Sequence, residues 1–360
     1  MYISLLQFKN FRNYESLELS LGKKVCIFIG ENGQGKTNIL EAVTLLSTGR
    51  SHRTNKDRNM IRINEEFARI RTESIQRDGT HSVDLMLSLS EKKRIAVNGI
   101  AINRIGEMIG QIKSVMFSPE DLNIVKEGPG NRRRFMDMDL SQINRIYFYS
   151  LNKYYQILDQ RNNLLKGISF NGKNIDTLEI WDEMLAQAAK PIIQQRNRFI
   201  EKLSPICRKI HEHISGGKEQ LSVIYQPSVK WEEFEEALKK TRESDLKKTT
   251  TSVGPHKDDL CIQLDKTDLR YFGSQGQQRT AALALKLAQL ELMKEEIGED
   301  PILLLDDVMS ELDEKRQEQL LEYIKDVQTF LTTTHISNHM KNIINANVFT
   351  VKDGRVEKVK

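Results

Sequence analysis

The residues of this sequence that are best suited to chemistry form a short glycine-rich segment near its start. The segment fits the pattern G-x-x-x-x-G-K-[ST] and comprises Gly30, Glu31, Asn32, Gly33, Gln34, Gly35, Lys36 and Thr37. Glycines let a backbone wrap the phosphates of a nucleotide, and the N–H groups of such a loop attract anions. Lys36 is predicted to bind phosphate oxygens in a catalytic role, and the Thr37 hydroxyl to bind Mg²⁺. An ordinary glycine-rich turn is the alternative, which the strand before the segment and the helix after it disfavour.

Two adjacent carboxylates, Asp306 and Asp307, follow the apolar run 302–305 and supply what a magnesium–nucleotide site also requires. Asp306 is predicted to orient Mg²⁺ or its water ligands. Asp307 is predicted to point toward the terminal phosphate and to act as general base. An acidic turn after a strand is the alternative. It is disfavoured because a phosphate loop and an acidic strand end depend on each other in such sites.

Both groups of residues need a sheet that brings strand ends together. The apolar runs 25–29 and 302–305 are typical of strands buried on both faces, and residues 37–46 show helical spacing. Strands that alternate with helices predict a parallel sheet flanked by helices. The N-terminal third also contains strands of alternating polarity and the turn pair Asn98-Gly99, which together predict an antiparallel meander.

The middle of the chain, between about residues 136 and 248, changes to helical spacing. Apolar residues recur at threes and fours over 143–165 and again over much of 175–214. Two long helices joined by a short turn predict an antiparallel helical hairpin. We therefore expect an α/β fold that is split in sequence by an inserted α-helical domain.

Composition limits the class of protein further. A chain of 360 residues and 41.6 kDa suggests about two domains, and 39% hydrophobic with 29% charged residues excludes a disordered chain. No stretch reaches the roughly 18 apolar residues of a membrane span, and the N-terminus lacks a secretory signal, so we expect a cytoplasmic protein without a membrane partner. The three cysteines are too far apart for a disulfide framework. A net charge of +4 permits nucleic-acid binding without requiring it.

A second motif opens the alanine- and leucine-rich helix near residue 280 and consists of Ser274, Gln275, Gly276 and Gln277. It resembles the signature motif of the ABC-type ATPases, usually written LSGGQ. Residues 310–313 resemble the D-loop of that family, and His335 resembles its switch histidine. The resemblance implies that the signature motif completes the nucleotide site of a second subunit, so that ATP joins a dimer.

Longer runs of sequence make the resemblance more specific. They are residues 10–14, 30–42, 119–122, 128–129, 132–137, 254–260 and 274–279. Together they are similar to the RecF family of bacterial recombination mediators, which belongs to the SMC-like branch of the ABC-type ATPases. The similarity covers nearly the whole chain.

This resemblance implies an ABC-type ATPase head made of residues 1–135 and 249–360, with a helical arm of residues 136–248 inserted in its middle. It implies ATP and Mg²⁺ as cofactors, and an ATP-dependent homodimer on duplex DNA and at single-strand/duplex junctions. It also implies weak, DNA-dependent ATP hydrolysis. The biological role would be to load RecA at single-strand gaps together with RecO and RecR, in DNA repair, replication restart and the SOS response.

Two positions depart from the wider ABC pattern. The usual catalytic glutamate is replaced by Asp307, whose side chain is one methylene shorter. Because its carboxylate would lie further from the attacking water, we expect slow hydrolysis. The usual glutamine of the Q-loop is not evident, and either Glu120 or Asp121 takes its metal-sensing role.

A basic run follows the predicted helix of the phosphate loop and includes Arg53, Lys56 and Arg58. These side chains are candidates for contact with DNA phosphates, and Arg53 alternatively for contact with the nucleotide, as in SMC-like heads. A solvated basic loop is the equally weighted alternative.

Two other functions are compatible with some of these motifs. The same nucleotide motifs serve the ATPase subunit of a membrane transporter, but the helical insertion and the RecF-like runs disfavour that function. An SMC-like head that bridges DNA without significant turnover is the other alternative, and the intact pair Asp306 and Asp307 disfavours it.

Overall fold

The computed structural model of the chain describes residues 1–171, 176–217, 219–335 and 346–359. Contacts divide the chain into two compact units, one of residues 1–121 and 286–360 and one of residues 122–285. Among the described residues, no helix combines the length and the apolar character that crossing a membrane requires.

Strands predominate in the first part of the chain, helices in the middle, and strands again in the last part. The first part forms β1 (Tyr2–Phe11), β2 (Tyr14–Ser20), β3 (Val25–Ile29), α1 (Lys36–Thr48), β4 (Phe67–Gln76), β5 (Gly79–Ser88), β6 (Arg94–Val97), β7 (Ile100–Ile102) and β8 (Ser114–Phe117). The middle forms α2 (Asn123–Lys126), α3 (Pro129–Ile143), α4 (Arg145–Asn171), α5 (Thr177–Ser215), β9 (Leu221–Gln226), α6 (Phe234–Lys248), β10 (Asp259–Leu264), β11 (Thr267–Asp268), α7 (Leu269–Phe272) and α8 (Gln275–Ile297). The last part forms β12 (Ile302–Asp306), α9 (Glu314–Tyr323), β13 (Thr329–Thr333), β14 (Asn347–Lys352) and β15 (Arg355–Lys358).

A mainly parallel sheet positions the chemistry of the first unit. Its order is β15-β14-β3-β13-β12-β8, and β13 pairs in parallel with both β3 and β12. Leu331 of β13 is the register partner of Ile27 on one side and of Leu305 on the other. The carboxyl ends of β3 and β12 therefore lie at the same edge of the sheet, with one strand between them. This arrangement brings the segment after residue 29 close to Asp306, as the sequence predicts.

An antiparallel sheet, ordered β2-β1-β4-β5-β6-β7, forms the other sheet of this unit. The tight turn between β6 and β7 has Asn98 at φ 51° and Gly99 at φ 77°, which confirms the predicted hairpin. The inward side chains Leu6, Ile70 and Leu85 are fully buried and share one hydrophobic core with α1 and β3. The helix that follows the glycine-rich segment is thus held on its apolar face by both sheets.

The second unit is mainly helical, and its long helices α4 and α5 pack against each other as the apolar spacing predicts. A three-stranded sheet, β11-β10-β9, accompanies them. The boundary expected at residue 135 falls inside α3, so helical structure begins earlier than the sequence suggested. Residues 249–285 have most of their contacts in this unit. The division into a head and an inserted arm stays a prediction about function.

A buried polar network holds the segment that precedes β10. Arg196 of α5 is fully buried and donates to the Pro255 carbonyl (2.7 Å) and to the carboxylate of Asp258 (2.9 Å). The His256 ring is hydrogen-bonded through Nδ1 to the Tyr154 hydroxyl, at 2.6 Å. Because these partners lie on helices, the network fixes the chain that leads through β10 to α8.

Acid is expected to weaken the second unit through His256. Burial, the largest cause, lowers the pKa of His256 to about 4. As the pH falls below about 6.5, His256 becomes protonated in the unfolded chain but stays neutral in the folded chain. The contribution of neutral His256 to the free energy of unfolding is therefore complete above that pH and is lost progressively down to about pH 4. This residue alone should make the protein about 2 kcal/mol less stable at pH 5 than at pH 7. Urea unfolding measures the free energy of unfolding of the wild type and of His256→Gln at both pH values. The stability advantage of the wild type over the variant should be smaller at pH 5 than at pH 7. An advantage that is the same at both pH values would contradict the assignment.

Candidate nucleotide-binding site

The glycine-rich segment forms a loop between β3 and α1. Gly33 and Gly35 have φ angles of 82° and 111°, in the left-handed region that side chains disfavour. A Cβ atom on Gly30 would lie 2.2 Å from the carbonyl oxygen of Val351 on β14. Glycine is therefore required at each of these positions by the backbone itself. The loop precedes the N-terminus of a 13-residue helix, which is the geometry of an anion-binding loop.

Lys36 folds back over this loop. Its ammonium group donates to the backbone carbonyls of Gly30 (2.7 Å) and Glu31 (2.8 Å). Desolvation lowers the pKa of Lys36, whereas the negative charges of Asp307 and Asp306 act in the opposite sense. The lysine charge is thus held at the loop and close to both carboxylates, where a bound phosphate would meet it.

Asp306 and Thr37 meet at the edge of the parallel sheet. The Thr37 hydroxyl donates to Oδ1 of Asp306 at 2.9 Å, and the Thr332 hydroxyl donates to the same oxygen at 2.7 Å. A hydroxyl and a carboxylate are oxygen ligands of the kind that Mg²⁺ prefers together with nucleotide phosphates. Within the described part of the chain, no group of three or more His, Cys, Asp or Glu side chains could hold a metal ion. The residues present therefore fit Mg²⁺ bound jointly with a nucleotide.

Asp307 adopts a left-handed backbone conformation with φ 51°, which is uncommon for a residue other than glycine. Its N–H donates to the Thr332 hydroxyl (3.0 Å), and the Ser310 hydroxyl donates to its carbonyl (2.7 Å). The backbone is held in this conformation from both sides. Such over-determined strain is typical of functional positions.

Two distant turns clamp the phosphate loop, and sequence reasoning did not predict either contact. Asn13, in the turn between β1 and β2, donates to the Gln34 carbonyl at 2.8 Å, and the Tyr14 hydroxyl donates to the Gly35 carbonyl at 3.0 Å. From the turn between β14 and β15, the N–H of Asp353 donates to the side-chain oxygen of Gln34 at 2.6 Å. The Gln34 side chain thus binds the protein, which leaves its backbone N–H as the group it offers to a phosphate.

A buried carboxylate on α1 organises the basic residues near the loop. Glu41 is fully buried, and its carboxylate accepts hydrogen bonds from the Arg12 guanidinium and the Ser51 hydroxyl. Arg53 donates to the Asn38 side chain at 2.9 Å and lies 3.8 Å from Glu41. Arg53 is therefore anchored beside the helix that follows the phosphate loop. Helical spacing alone gave no sign that Glu41 would face inward.

Lys56 and Arg58, the other two basic candidates, are exposed and lie at the short helical turn after Arg53. No contact of either side chain assigns it a ligand, and their role in binding DNA stays a prediction.

The two alternatives for the metal-sensing position differ in their surroundings. Asp121 accepts from the N–H of Ser118 at 2.7 Å and pairs with Lys286 at 3.5 Å. Glu120 is exposed to solvent. The choice between the two carboxylates stays open.

The signature-like motif lies in the second unit, at the start of α8. The N–H of Gln277 donates to the Ser274 hydroxyl (3.2 Å), and the Gln277 side-chain oxygen accepts from the N–H of Ser274 (2.8 Å). This reciprocal pair is a capping box, which fixes the first turn of a helix. Ser274, Gln275 and Gly276 are exposed. The motif is thus rigid and accessible from solvent.

His335, the predicted switch residue, lies immediately after β13, the strand between β3 and β12. Its N–H donates to the Thr333 hydroxyl at 3.3 Å, and its side chain is exposed. The structure thus places it at the sheet edge that carries Asp306. Its role as a switch stays a prediction.

Comparison with known proteins adds to this geometry. Residues 2–357 match the sequence profile of the RecF/RecN/SMC N-terminal domain. The DNA replication and repair protein RecF of Lachnoclostridium phytofermentans is 46% identical over 359 residues, which cover 99% of this chain and 100% of that protein. This chain belongs to the RecF family. RecF of Clostridium tetani is 43% identical over 364 residues, covering 98% of this chain and 99% of that protein.

Solved structures agree with membership of the RecF family. A structure of the recombination mediator protein RecF with ATP, in the RecFOR pathway, superimposes with a TM-score of 0.93 at 40% identity and covers 100% of this chain and 98% of that one. An Smc head domain from Pyrococcus furiosus, covering 99% of this chain and 96% of that one, has a TM-score of 0.59 at 18% identity and shows the fold alone. The predicted family and the predicted α/β fold of an ABC-type ATPase head with helical content are confirmed.

Proposed function

We propose that this RecF family member is an ATP-operated protein of recombinational DNA repair, which binds ATP with Mg²⁺ and forms a homodimer on DNA when ATP is bound. The observation that carries the proposal is the contact between Thr37 and Asp306 beside the folded-back Lys36. This contact supports the proposal because it joins the residue that follows Lys36 to the carboxylate at the end of β12. The names of the relatives, DNA replication and repair protein RecF, support the biological role.

Each residue of the loop site has a distinct part in the proposed chemistry. Lys36 and the loop N–H groups bind the β- and γ-phosphates, and Thr37 with Asp306 holds Mg²⁺. The ion would neutralise charge that develops on the transferred phosphoryl group. Asp307 orients the attacking water and accepts its proton as general base. Because an aspartate reaches less far than a glutamate, we expect hydrolysis to be slow and the protein to act as a switch.

The dimer follows from the signature motif. Ser274 offers a hydroxyl, and the N-terminus of the 23-residue helix α8 offers N–H groups and a positive dipole end. We propose that these groups bind the γ-phosphate held by the phosphate loop of a second subunit. Gln275, Gly276 and Gln277 belong to the same surface, and His335 senses the phosphate from within its own subunit.

The proposed partners follow from the family. They are duplex DNA, single-strand/duplex junctions, RecR and RecO, with RecA as the protein loaded at gaps. DNA would stimulate the weak ATPase activity. Lys56 and Arg58 are candidate contacts to DNA phosphates. Arg53, which is anchored to Asn38 on α1, is a candidate to bind either DNA or nucleotide. Residues 1–135 and 249–360 would act as the ATPase head, and residues 136–248 as the arm.

Replacing Ser274 tests the proposal that the phosphate loop of one subunit and the signature motif of another form one nucleotide site, here called the composite site. Ser274→Arg should leave ATP binding by the monomer within about two-fold of wild type, because its own phosphate loop is untouched. Dimerisation with ATP and turnover should each fall at least about ten-fold, since the substitution removes the hydroxyl proposed to bind the partner's phosphate and its bulky side chain fills the space that this phosphate needs. Nucleotide titration, sedimentation and phosphate release measure the three quantities. The matched control is Ser90→Arg at an exposed serine of the first unit, and wild-type turnover by the signature variant would refute the composite site.

A further inference from the structure

Two adjacent aromatic side chains at the end of α7 are exposed to solvent. Tyr271 is 68% exposed and Phe272 is 75% exposed. Their ring centroids are 6.4 Å apart in an edge-to-face arrangement, and the Arg270 guanidinium lies 5.2 Å from the Tyr271 ring. Exposed clusters of this kind mark interaction surfaces, since large aromatic rings are enriched at the centres of protein interfaces. Neither ring takes part in the nucleotide site described above.

The turn that presents these rings is rigid. The Asp268 side chain caps α7 by accepting from the N–H of Arg270 at 2.8 Å, and Leu269 is buried beneath it. The side chain of Gln278, in the first turn of α8, donates to the Leu269 carbonyl at 2.9 Å. A Cβ atom on Gly273 would lie 2.6 Å from that same carbonyl oxygen, so only glycine fits. The aromatic pair is therefore held in a fixed position relative to the start of α8, which lowers the entropic cost of binding.

We propose that Tyr271 and Phe272 form a docking surface for a second copy of this chain, at the edge of the nucleotide site that Ser274 completes. The proposal rests on the composite site proposed above. Only Gly273 separates Phe272 from Ser274, a span of at most about 7 Å. A subunit that brings its phosphate loop to Ser274 therefore also covers the aromatic pair.

The charges on the two surfaces also favour a second copy of this chain as the partner. The crown of the phosphate loop, residues 31–33, is exposed and carries the carboxylate of Glu31. Arg270, which flanks Tyr271, has the opposite charge. A phosphate loop that approaches Ser274 would thus meet apolar rings beside a cation of complementary sign, which favours the correct register of the two subunits.

The double variant Tyr271→Ser/Phe272→Ser of the full chain tests the surface. Sedimentation velocity with ATP and Mg²⁺ should show a dimer dissociation constant at least about ten-fold higher than that of wild type. ATP binding by the monomer should stay within about two-fold, because the phosphate loop is unchanged. The matched control is Phe170→Ser on α4, where the ring is 89% exposed, and both quantities should stay at wild-type values.

Comparison with Ser274→Arg distinguishes failure of the docking surface from failure of the composite nucleotide site. If Ser274→Arg weakens the dimer and the aromatic variant does not, the docking surface is wrong and the composite site stands. If neither variant weakens the dimer, the composite site is wrong as well. If the aromatic variant dimerises like wild type but binds DNA more weakly, the rings stack on bases instead, and the proposed partner is overturned.

A direct probe of burial complements the variants. Phe272→Trp adds an indole at the surface to the two native tryptophans, Trp181 and Trp231. Without ATP, acrylamide should quench the added fluorescence freely. With ATP and Mg²⁺, quenching of that component should fall at least two-fold as the dimer forms. Unchanged quenching in a sample that sediments as a dimer would overturn the proposal.

Discussion

Lys36→Ala is expected to lower ATP affinity by about 100-fold and to abolish ATP-dependent dimerisation. The Lys36 ammonium group is buried and directed at the loop by the carbonyls of Gly30 and Glu31. Hydrogen bonds from a charged group contribute about 1.5–3 kcal/mol each, and loss of one strong contact to a phosphate accounts for the expected factor. Isothermal titration with ATP and Mg²⁺ measures the affinity, and sedimentation with ATP measures the dimer.

The control for this variant is Lys24→Ala. Lys24 lies just before β3 and is exposed, so neither ATP affinity nor dimerisation should change. The fold of both variants is compared by circular dichroism. A Lys36→Ala protein that is folded and still dimerises with ATP would show that phosphates are not bound at this loop.

Asp307→Asn is expected to reduce ATP turnover at least about 100-fold while ATP binding and dimerisation remain. The amide preserves the size of the side chain but cannot accept the proton of the attacking water, and general base catalysis contributes about 10²–10⁴ in rate. Single-turnover hydrolysis with and without duplex DNA measures the chemical step. The dimer of this variant should therefore persist for longer after ATP is added.

Asp306→Asn provides the contrast. Asp306 accepts from both Thr37 and Thr332 at the proposed magnesium site, so its replacement should weaken Mg²⁺-dependent ATP binding as well as turnover. We therefore expect weaker ATP binding for Asp306→Asn and unchanged ATP binding for Asp307→Asn. Turnover at the wild-type rate in Asp307→Asn would remove that residue from the role of general base.

The phosphate loop and the strands around it could be predicted from the sequence because their signals are local. The apolar run 25–29, the glycines after it and the helical spacing that follows each stand within a few residues of one another. Asp306 could be placed at the same edge because parallel strands share the direction of their carboxyl ends. The hairpin at Asn98 and Gly99 was equally local.

The contacts that hold the loop could not be predicted in this way. Gln34 is bound by Asp353, which lies 319 residues further along the chain and reaches it only because β14 pairs with β3. Glu41 carries a charge that ordinarily faces solvent on a helix, and its burial depends on Arg12, which lies in the turn between β1 and β2. The start of α3 at Pro129 was not evident from the sequence, because this helix has a weak apolar stripe and its charged residue Arg132 is buried through pairing with Asp259.

The central claim is that ATP completes a site shared between two subunits, and a mixing experiment tests it most directly. Lys36→Ala and Ser274→Arg proteins should each be inactive alone with ATP, Mg²⁺ and gapped duplex DNA. In a mixed dimer, the intact phosphate loop of one subunit faces the intact signature motif of the other. An equimolar mixture should therefore recover up to about half of wild-type turnover, because neither variant dimerises efficiently alone, so the dimers that form are mixed and each has one working site of two. A mixture as inactive as either protein alone would contradict the shared site.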